Sequence, residues 1–205
     1  MPRSLSRKEL LHGLLSFVRE AGERTLGEAG PDPARLLRPP GALLPDSAYL
    51  DACTGCEKCV AVCPPGAIFM ADVQHRDEPR RVAVVLAARE PCRVCTEVPC
   101  AAACPEPALA GPLSPRQVRI GVAQVNPTLC RPFRGEECDL CVRFCPFPGE
   151  AIRLIGTKPV VIPEACTGCG MCEAACPERP RAIRVVPERD LIPGVRLPKI
   201  LPWRR

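Results

Sequence analysis

Apolar positions along this chain come in short bursts. Ile68-Phe69-Met70, Arg81 to Leu86, Val118 to Val125, Ile152 to Ile155, Val160 to Ile162 and Ile183 to Val186 are rich in β-branched residues and bounded by Gly, Pro and charged residues. Each reads as a short strand. One stretch has a different period. Leu10, Leu14, Phe17, Val18 and Ala21 recur at i, i+4, i+7, i+8 and i+11, with Arg7, Lys8, His12, Ser16, Arg19, Glu20 and Glu23 between them. That spacing predicts an amphipathic helix closing at the Gly27–Pro33 breaker cluster. The basic start and the apolar run Leu10 to Val18 have the outline of an export leader. His12 and Gly13 interrupt the run, Arg19 and Glu20 follow at once, and no A-x-A site is present, so the segment is expected to be retained as a docking helix. After Val186 the prolines at 187, 193, 198 and 202 predict an extended tail over residues 191–205. No run approaches the roughly 20 apolar residues needed to cross a bilayer.

Composition sharpens this picture. Aromatic residues make up only 3% of the chain, with one Trp, one Tyr and five Phe, against 27 Pro and 15 Gly. Large aromatic side chains normally supply much of a core's buried area, so a chain this poor in them needs another source of cohesion. The sixteen cysteines supply it. They fall into four blocks of four with none left over: Cys53/56/59/63, Cys92/95/100/104, Cys130/138/141/145 and Cys166/169/172/176.

Blocks one and four carry the unbroken run C-x2-C-x2-C-x3-C-P, a ligation signature for [4Fe–4S] clusters. Block two widens one gap to four residues around Pro99, and block three inserts Arg131 to Glu137 after its first cysteine. Cysteines at i, i+3 and i+6 on a tight loop can reach three irons of one cube, while the fourth of the run points away and ligates a second cube. Pro64, Pro105, Pro146 and Pro177 follow the fourth cysteines and redirect the chain. Gly55, Gly168 and Gly170 sit where backbone must approach the cube closely. First cysteines recur every 36 to 39 residues, a repeat of strand, cluster loop, short helix and strand. Two regular blocks outside two expanded ones suggest nested pairing, one with four and two with three.

Four complete cysteine quartets predict four [4Fe–4S] clusters with no open coordination site, which points to moving electrons and away from catalysis. The formal net charge of +5 changes meaning accordingly. A 2+ core on four thiolates carries −2, so four clusters add −8 and leave the holo protein near −3, and the basic balance is no sign of nucleic acid. His12 and His75 are read as surface residues.

The arrangement resembles the NapG/MauM-type ferredoxin subunits and, more distantly, the four-cluster subunits of DMSO-reductase-type enzymes. The resemblance rests on Arg38-Pro-Pro-Gly-Ala-Leu43, on Ala52-Cys-x2-Cys-x2-Cys-x3-Cys-Pro64 and on Pro91-Cys-x2-Cys-x4-Cys-x3-Cys-Pro105. It rests also on the seven-residue gap after Cys130 and on Ala165-Cys-Thr-Gly-Cys-Gly170. It implies an α+β fold of two fused bacterial two-[4Fe–4S] ferredoxin-like folds. The relay it implies runs between a membrane quinol-oxidising partner and a terminal oxidoreductase. It further implies ligand sets Cys53, Cys56, Cys59 with Cys176; Cys166, Cys169, Cys172 with Cys63; Cys92, Cys95, Cys100 with Cys145; and Cys130, Cys138, Cys141 with Cys104. The domain plan is then a helix and linker over 1–47, a four-cluster domain over 48–190 and the tail. Within the four-cluster domain an outer module spans 48–72 plus 157–190 and an inner module spans 82–156. Members of the family usually carry a twin-arginine export signal; Arg7-Lys8 is the nearest approach here. The expected location is therefore cytoplasmic, with membrane association through a partner and the periplasm as the alternative.

Two other function classes stay open at this point. An iron–sulfur enzyme would need an iron without a protein thiolate. A zinc-stapled nucleic-acid module would use the Cys-x2-Cys pairs as zinc ligands. No P-loop, G-x-S-x-G or His-rich constellation accompanies the cysteines. Because ligation free energy becomes folding free energy when the site is unformed in the unfolded chain, stripping the iron with a chelator should unfold the protein. Loss of far-ultraviolet circular dichroism in step with cluster bleaching is the expected result; a native-like spectrum after complete iron removal would refute it.

Overall fold

The computed structural model describes residues 36–187, and the expected N-terminal helix and C-terminal tail lie outside them. The six expected strands are present as three separate antiparallel pairs. Strand β1 (Ile68–His75) pairs with β2 (Glu78–Val85), β3 (Gly121–Val125) with β6 (Ile183–Pro187), and β4 (Ile152–Ile155) with β5 (Lys158–Val161). Five short helices accompany them: α1 (Asp46–Ala52), α2 (Lys58–Ala61), α3 (Pro99–Ala102), α4 (Leu140–Arg143) and α5 (Met171–Ala175). Helices α2 to α5 each carry the third cysteine of a block, so each is a single turn that presents one thiol.

The β1–β2 hairpin shows why the strands are short. Val82 to Val85 are buried, whereas the distal half carries Asp72, Gln74, Glu78 and Arg81 into solvent. Its two-residue tip, Arg76-Asp77, takes positive φ at both positions, the backbone that matches the strands' twist. His75 is not a solvated surface residue: its ring is 11% exposed and its Nε2 lies 2.9 Å from Asp51 Oδ1, tying the hairpin to α1. That bond, reinforced by Arg76, holds the Asp51 carboxyl below the usual carboxylate range.

The stretch before α1, expected to be a linker ahead of a domain starting at residue 48, is part of the folded body. Leu37 exchanges backbone hydrogen bonds with Val85 at 2.8 Å in both directions, and Pro39 and Pro40 are fully buried. Arg38 is buried because its guanidinium has partners, Asp46 at 2.7 Å and the Leu43 carbonyl at 3.0 Å.

The core is aliphatic and thiol-rich. Tyr49, Leu37, Ile120, Val82, Val85 and Val118 are its largest fully buried apolar side chains, and eight cysteines pack among them. None of the described phenylalanines is in it. Three of them lie under cations instead, with Arg89 over Phe69, Arg116 over Phe147 and Lys158 over Phe133.

Helix α2 packs on α3 and helix α4 on α5, so the blocks pair in chain order. Glycines set how closely the block-four loop lies on strand β3. A Cβ on Gly168 (φ +69) would strike the backbone of Gly121, while one on Gly66 (φ +68) would meet nothing within 4 Å. Replacing either by alanine carries the left-handed backbone cost of about 1–2 kcal/mol, and Gly168→Ala adds an overpacking cost of about 1–3 kcal/mol. On anaerobic heating, cluster bleaching should come first in Gly168→Ala, next in Gly66→Ala and last in the parent. Coincident midpoints for the two variants would refute the close approach.

Candidate iron–sulfur centres

The local backbone dictates where each thiol points. Cys53 caps α1, and the chain then turns through Gly55 (φ +70) and Glu57 (φ +61) into α2, which carries Cys59. Block two makes the same turn with Val94 (φ 50) and Val98 (φ 43) before Pro99 opens α3. Gly168 and Gly170 make it in block four. A β-branched valine in the left-handed region is strained. Holding Val98 there turns Cys100 inward. In block three the inserted residues form a 3-10 turn, Arg131–Arg134, ended by Gly135 at φ +87. Arg131 and Arg134 both reach Glu178, at 2.6 and 3.1 Å, two residues beyond Cys176.

The sixteen thiols surround four cavities of similar size, about 340, 360, 340 and 380 Å³. Set A is Cys53, Cys56 and Cys59 with Cys104. Set B is Cys92, Cys95 and Cys100 with Cys63. Set C is Cys166, Cys169 and Cys172 with Cys145. Set D is Cys130, Cys138 and Cys141 with Cys176. Three thiols of one block thus meet the fourth of another, as the run requires, but the partners are not the nested ones. Cys176 meets block three and not block one; Cys63 meets block two and not block four. Cys104 meets block one and not block three; Cys145 meets block four and not block two. The physical reason is the pairing of α2 with α3 and α4 with α5. Each fourth cysteine follows its block's helix, so it lands beside whichever helix packs against its own.

The donor chemistry fits a polynuclear cation. Burial pushes the thiols of Cys59 and Cys100 up to about 11 and those of Cys92 and Cys141 up to about 12, with neighbouring thiols adding to the shift. Burial likewise pushes the Cys172 thiol well above its ordinary value. Thiols raised in this way and facing one cavity resist ionising together unless positive charge sits among them, and a metal centre inverts that balance by deprotonating its thiols outright. Among the described residues no three His, Cys, Asp or Glu side chains converge on a single ion site. Backbone N–H groups point at several sulfurs: Val94 at Cys92, Phe147 at Cys145, Ala123 at Cys166 and Ala182 at Cys176, at 3.3–3.5 Å. Such bonds stabilise the thiolate and tune a cluster's potential.

The sets follow one another in single file. Cys59 of set A acts electrostatically on Cys100 of set B, Cys169 of set C on Cys92 of set B, and Cys141 of set D on Cys172 of set C. The B–C junction is also a backbone bond, from Cys92 N–H to the Cys169 carbonyl at 2.8 Å.

Two features of the site lie beyond the sequence reading. The positive φ of Glu57 and Val98 had no glycine to announce it. Tyr49, the chain's single tyrosine, lines the cavity of set A, and its hydroxyl donates to the Ala83 carbonyl at 2.5 Å. Burial and the adjacent Cys53 raise its phenol well above the ordinary value. The signal available for it was a lone tyrosine one helical turn before the first cysteine.

Comparison with known proteins agrees with this arrangement. A 4Fe–4S dicluster domain model matches residues 52–108, which hold blocks one and two, and a second 4Fe–4S dicluster domain model matches 123–177, which hold blocks three and four. Two dicluster domains imply four [4Fe–4S] clusters. The methylamine utilization ferredoxin-type protein MauM of Paracoccus denitrificans is 43% identical over 174 residues, covering 80% of this chain and 76% of that protein. MauM of Methylorubrum extorquens is 38% identical over 205 residues, covering 91% of each. The ferredoxin-type protein NapG of Escherichia coli is 36% identical over 167 residues, covering 74% of this chain and 70% of that protein. No solved structure matches the chain. Among the described residues no helix is long and apolar enough to cross a membrane. With these matches spanning all four cysteine blocks, the chain belongs to the MauM/NapG family of ferredoxin-type iron–sulfur electron-transfer proteins.

Proposed function

We propose that this chain relays electrons between a membrane quinol-oxidising partner and a terminal oxidoreductase, acting as an electron-transfer subunit and not as an enzyme. The observation that carries the relay is the single file of thiol sets, each in contact with the next. Sets A, B, C and D would each hold one [4Fe–4S] cluster, and the bound clusters supply one-electron storage along the molecule. The protein's own part is to fix the spacing and the surroundings. Helix pairing within each half sets the A–B and C–D contacts. The Cys92–Cys169 backbone bond sets the B–C contact. Burial differs along the file: all three block-four thiols of set C are enclosed, whereas Cys56 of set A is exposed. Enclosure of the middle and access at an end suit transfer at the ends of the file. The choice of quinol and oxidoreductase as the two partners rests on the family resemblance. Membrane association, in this reading, is made through the partner.

Two measurements test this reading. Reduction with dithionite after anaerobic reconstitution should give several mutually interacting [4Fe–4S]+ spins by electron paramagnetic resonance, and fewer than three cubanes per chain would defeat it. The ligand sets are tested by pairs of substitutions. At four irons per cubane the parent should hold about 16 irons, and Cys53→Ala and Cys104→Ala should each remove about 4. Because both belong to set A, the double variant should lose no more than either single one, whereas Cys53→Ala/Cys176→Ala should lose about 8. The reverse pattern would reinstate nested pairing.

A further inference from the structure

Outside the thiol sets, one compact surface patch has no role in holding the file together. In the β4–β5 hairpin Arg153 stands opposite Val160 and Ile155 opposite Lys158. Cross-strand partners, and residues two apart on a strand, share one face, so these four side chains project together. All four are exposed, with Ile155 at 58% and Val160 at 36%, while the other face buries Ile152 and Pro159 and leaves Leu154 39% exposed at its edge. Phe133, 37% exposed on the inserted 3-10 turn, joins them, since Lys158 Nζ lies 5.3 Å from its ring centroid. Three large apolar side chains and two cations therefore form one surface, and the hairpin face carries no carboxylate. Exposed apolar side chains are common singly; grouped with a charged rim they mark an interaction site.

The position of the patch gives it a purpose. Pro159 of the hairpin and Arg131 and Pro132 of the turn line the cavity of set D, so the patch is the outer surface of that terminal set's wall. Around set A, at the other end of the file, the exposed residues include the charged Glu57, Lys58 and Arg81. The two ends of the file thus present different surfaces.

We propose that the Phe133/Arg153/Ile155/Lys158/Val160 patch is the docking surface for a redox-partner protein whose contacting face is apolar at its centre and rich in carboxylates at its rim. The proposal rests on the relay reading, which makes set D a terminus. Charge selects among occupants. A second copy would bring Arg153 and Lys158 against the same two cations, which disfavours self-association, whereas an acidic rim gains from both. An apolar centre with a polar rim is also the anatomy of a protein interface.

The test uses the reconstituted full-length protein on a gold electrode coated with a mixed methyl- and carboxylate-terminated monolayer, which stands in for such a partner face. The parent is compared with Arg153→Glu/Lys158→Glu, with Ile155→Ser, and with Arg76→Glu/Arg89→Glu, which changes net charge equally at exposed positions that line none of the four thiol cavities. The patch charge reversal should slow interfacial electron exchange about tenfold or more, the expected sensitivity of an electrostatically guided contact. Ile155→Ser should slow it less, and Arg76→Glu/Arg89→Glu should leave it within about twofold. Equal slowing by the two charge reversals, or none by either, overturns the proposal. So does binding of the parent to phosphatidylglycerol vesicles that the patch variant alone loses, which would make the occupant a lipid surface. A parent dimer in sedimentation equilibrium that the patch variant alone loses would make it a second copy and overturn the proposal likewise. Iron content and bulk dithionite uptake are measured on every sample. A parent that takes up no electrons in bulk defeats the relay reading, whereas normal uptake with unaffected interfacial exchange defeats only the docking surface.

Discussion

The structure depends on a geometric constraint: one short loop can offer only three thiols to one centre. The fourth must come from elsewhere, and here it comes from the block whose helix packs alongside. Cys104 closes the set begun by Cys53, Cys56 and Cys59, and Cys63 closes the set of Cys92, Cys95 and Cys100. The exchange is reciprocal, so neither half of a pair is complete without the other. The same holds for Cys145 and Cys176 in the second pair. Secondary structure is subordinate to this. Single-turn helices are long enough to aim one thiol, and two-stranded sheets are marginal alone, so the cross-links between blocks do what a large apolar core does in most domains.

That constraint also accounts for the composition. A core with Tyr49 as its one large aromatic side chain buries β-branched aliphatics and eight cysteines together. Enclosure makes the thiols of Cys59, Cys92, Cys100, Cys141 and Cys172 reluctant to ionise, since desolvation heads the causes at each. The protein alone is therefore a poor home for sixteen thiolates. Ligand charge and cluster charge have to arrive together, which couples cofactor insertion to folding.

Much of this was legible in the sequence, because the chemistry is carried by residues that announce themselves. The sixteen cysteines and the six strand positions could be read directly. The pairing of the blocks could not. Expanded spacing in blocks two and three invited a symmetric, nested reading, yet spacing is a property of one loop and says nothing about which helix lies beside it. A better clue was Glu178, placed just after Cys176-Pro177, whose carboxylate meets the arginines of the block-three insertion. Complementary charge at those two places is visible in the sequence, but only the fold brings it into register. Leu36 to Pro45 was misread for a related reason. A segment rich in Pro with a lone Arg has the composition of a linker, and its burial depends on the Arg38–Asp46 contact and on Val85 accepting a third strand-like neighbour.

The junction between the halves shows the same economy of means. The block-four loop makes it with almost no side chain: the Cys169 carbonyl accepts from Cys92 N–H, and Gly170 lies against Ala87. Backbone contacts of this kind have little freedom to rotate or repack, so they hold distance better than long side chains would. Electron transfer between centres depends steeply on separation and needs no moving parts. A seam of glycine and peptide groups, placed where sets B and C meet, is what that requirement selects; the charged and apolar docking surfaces are left to the ends of the file, where partners must come and go.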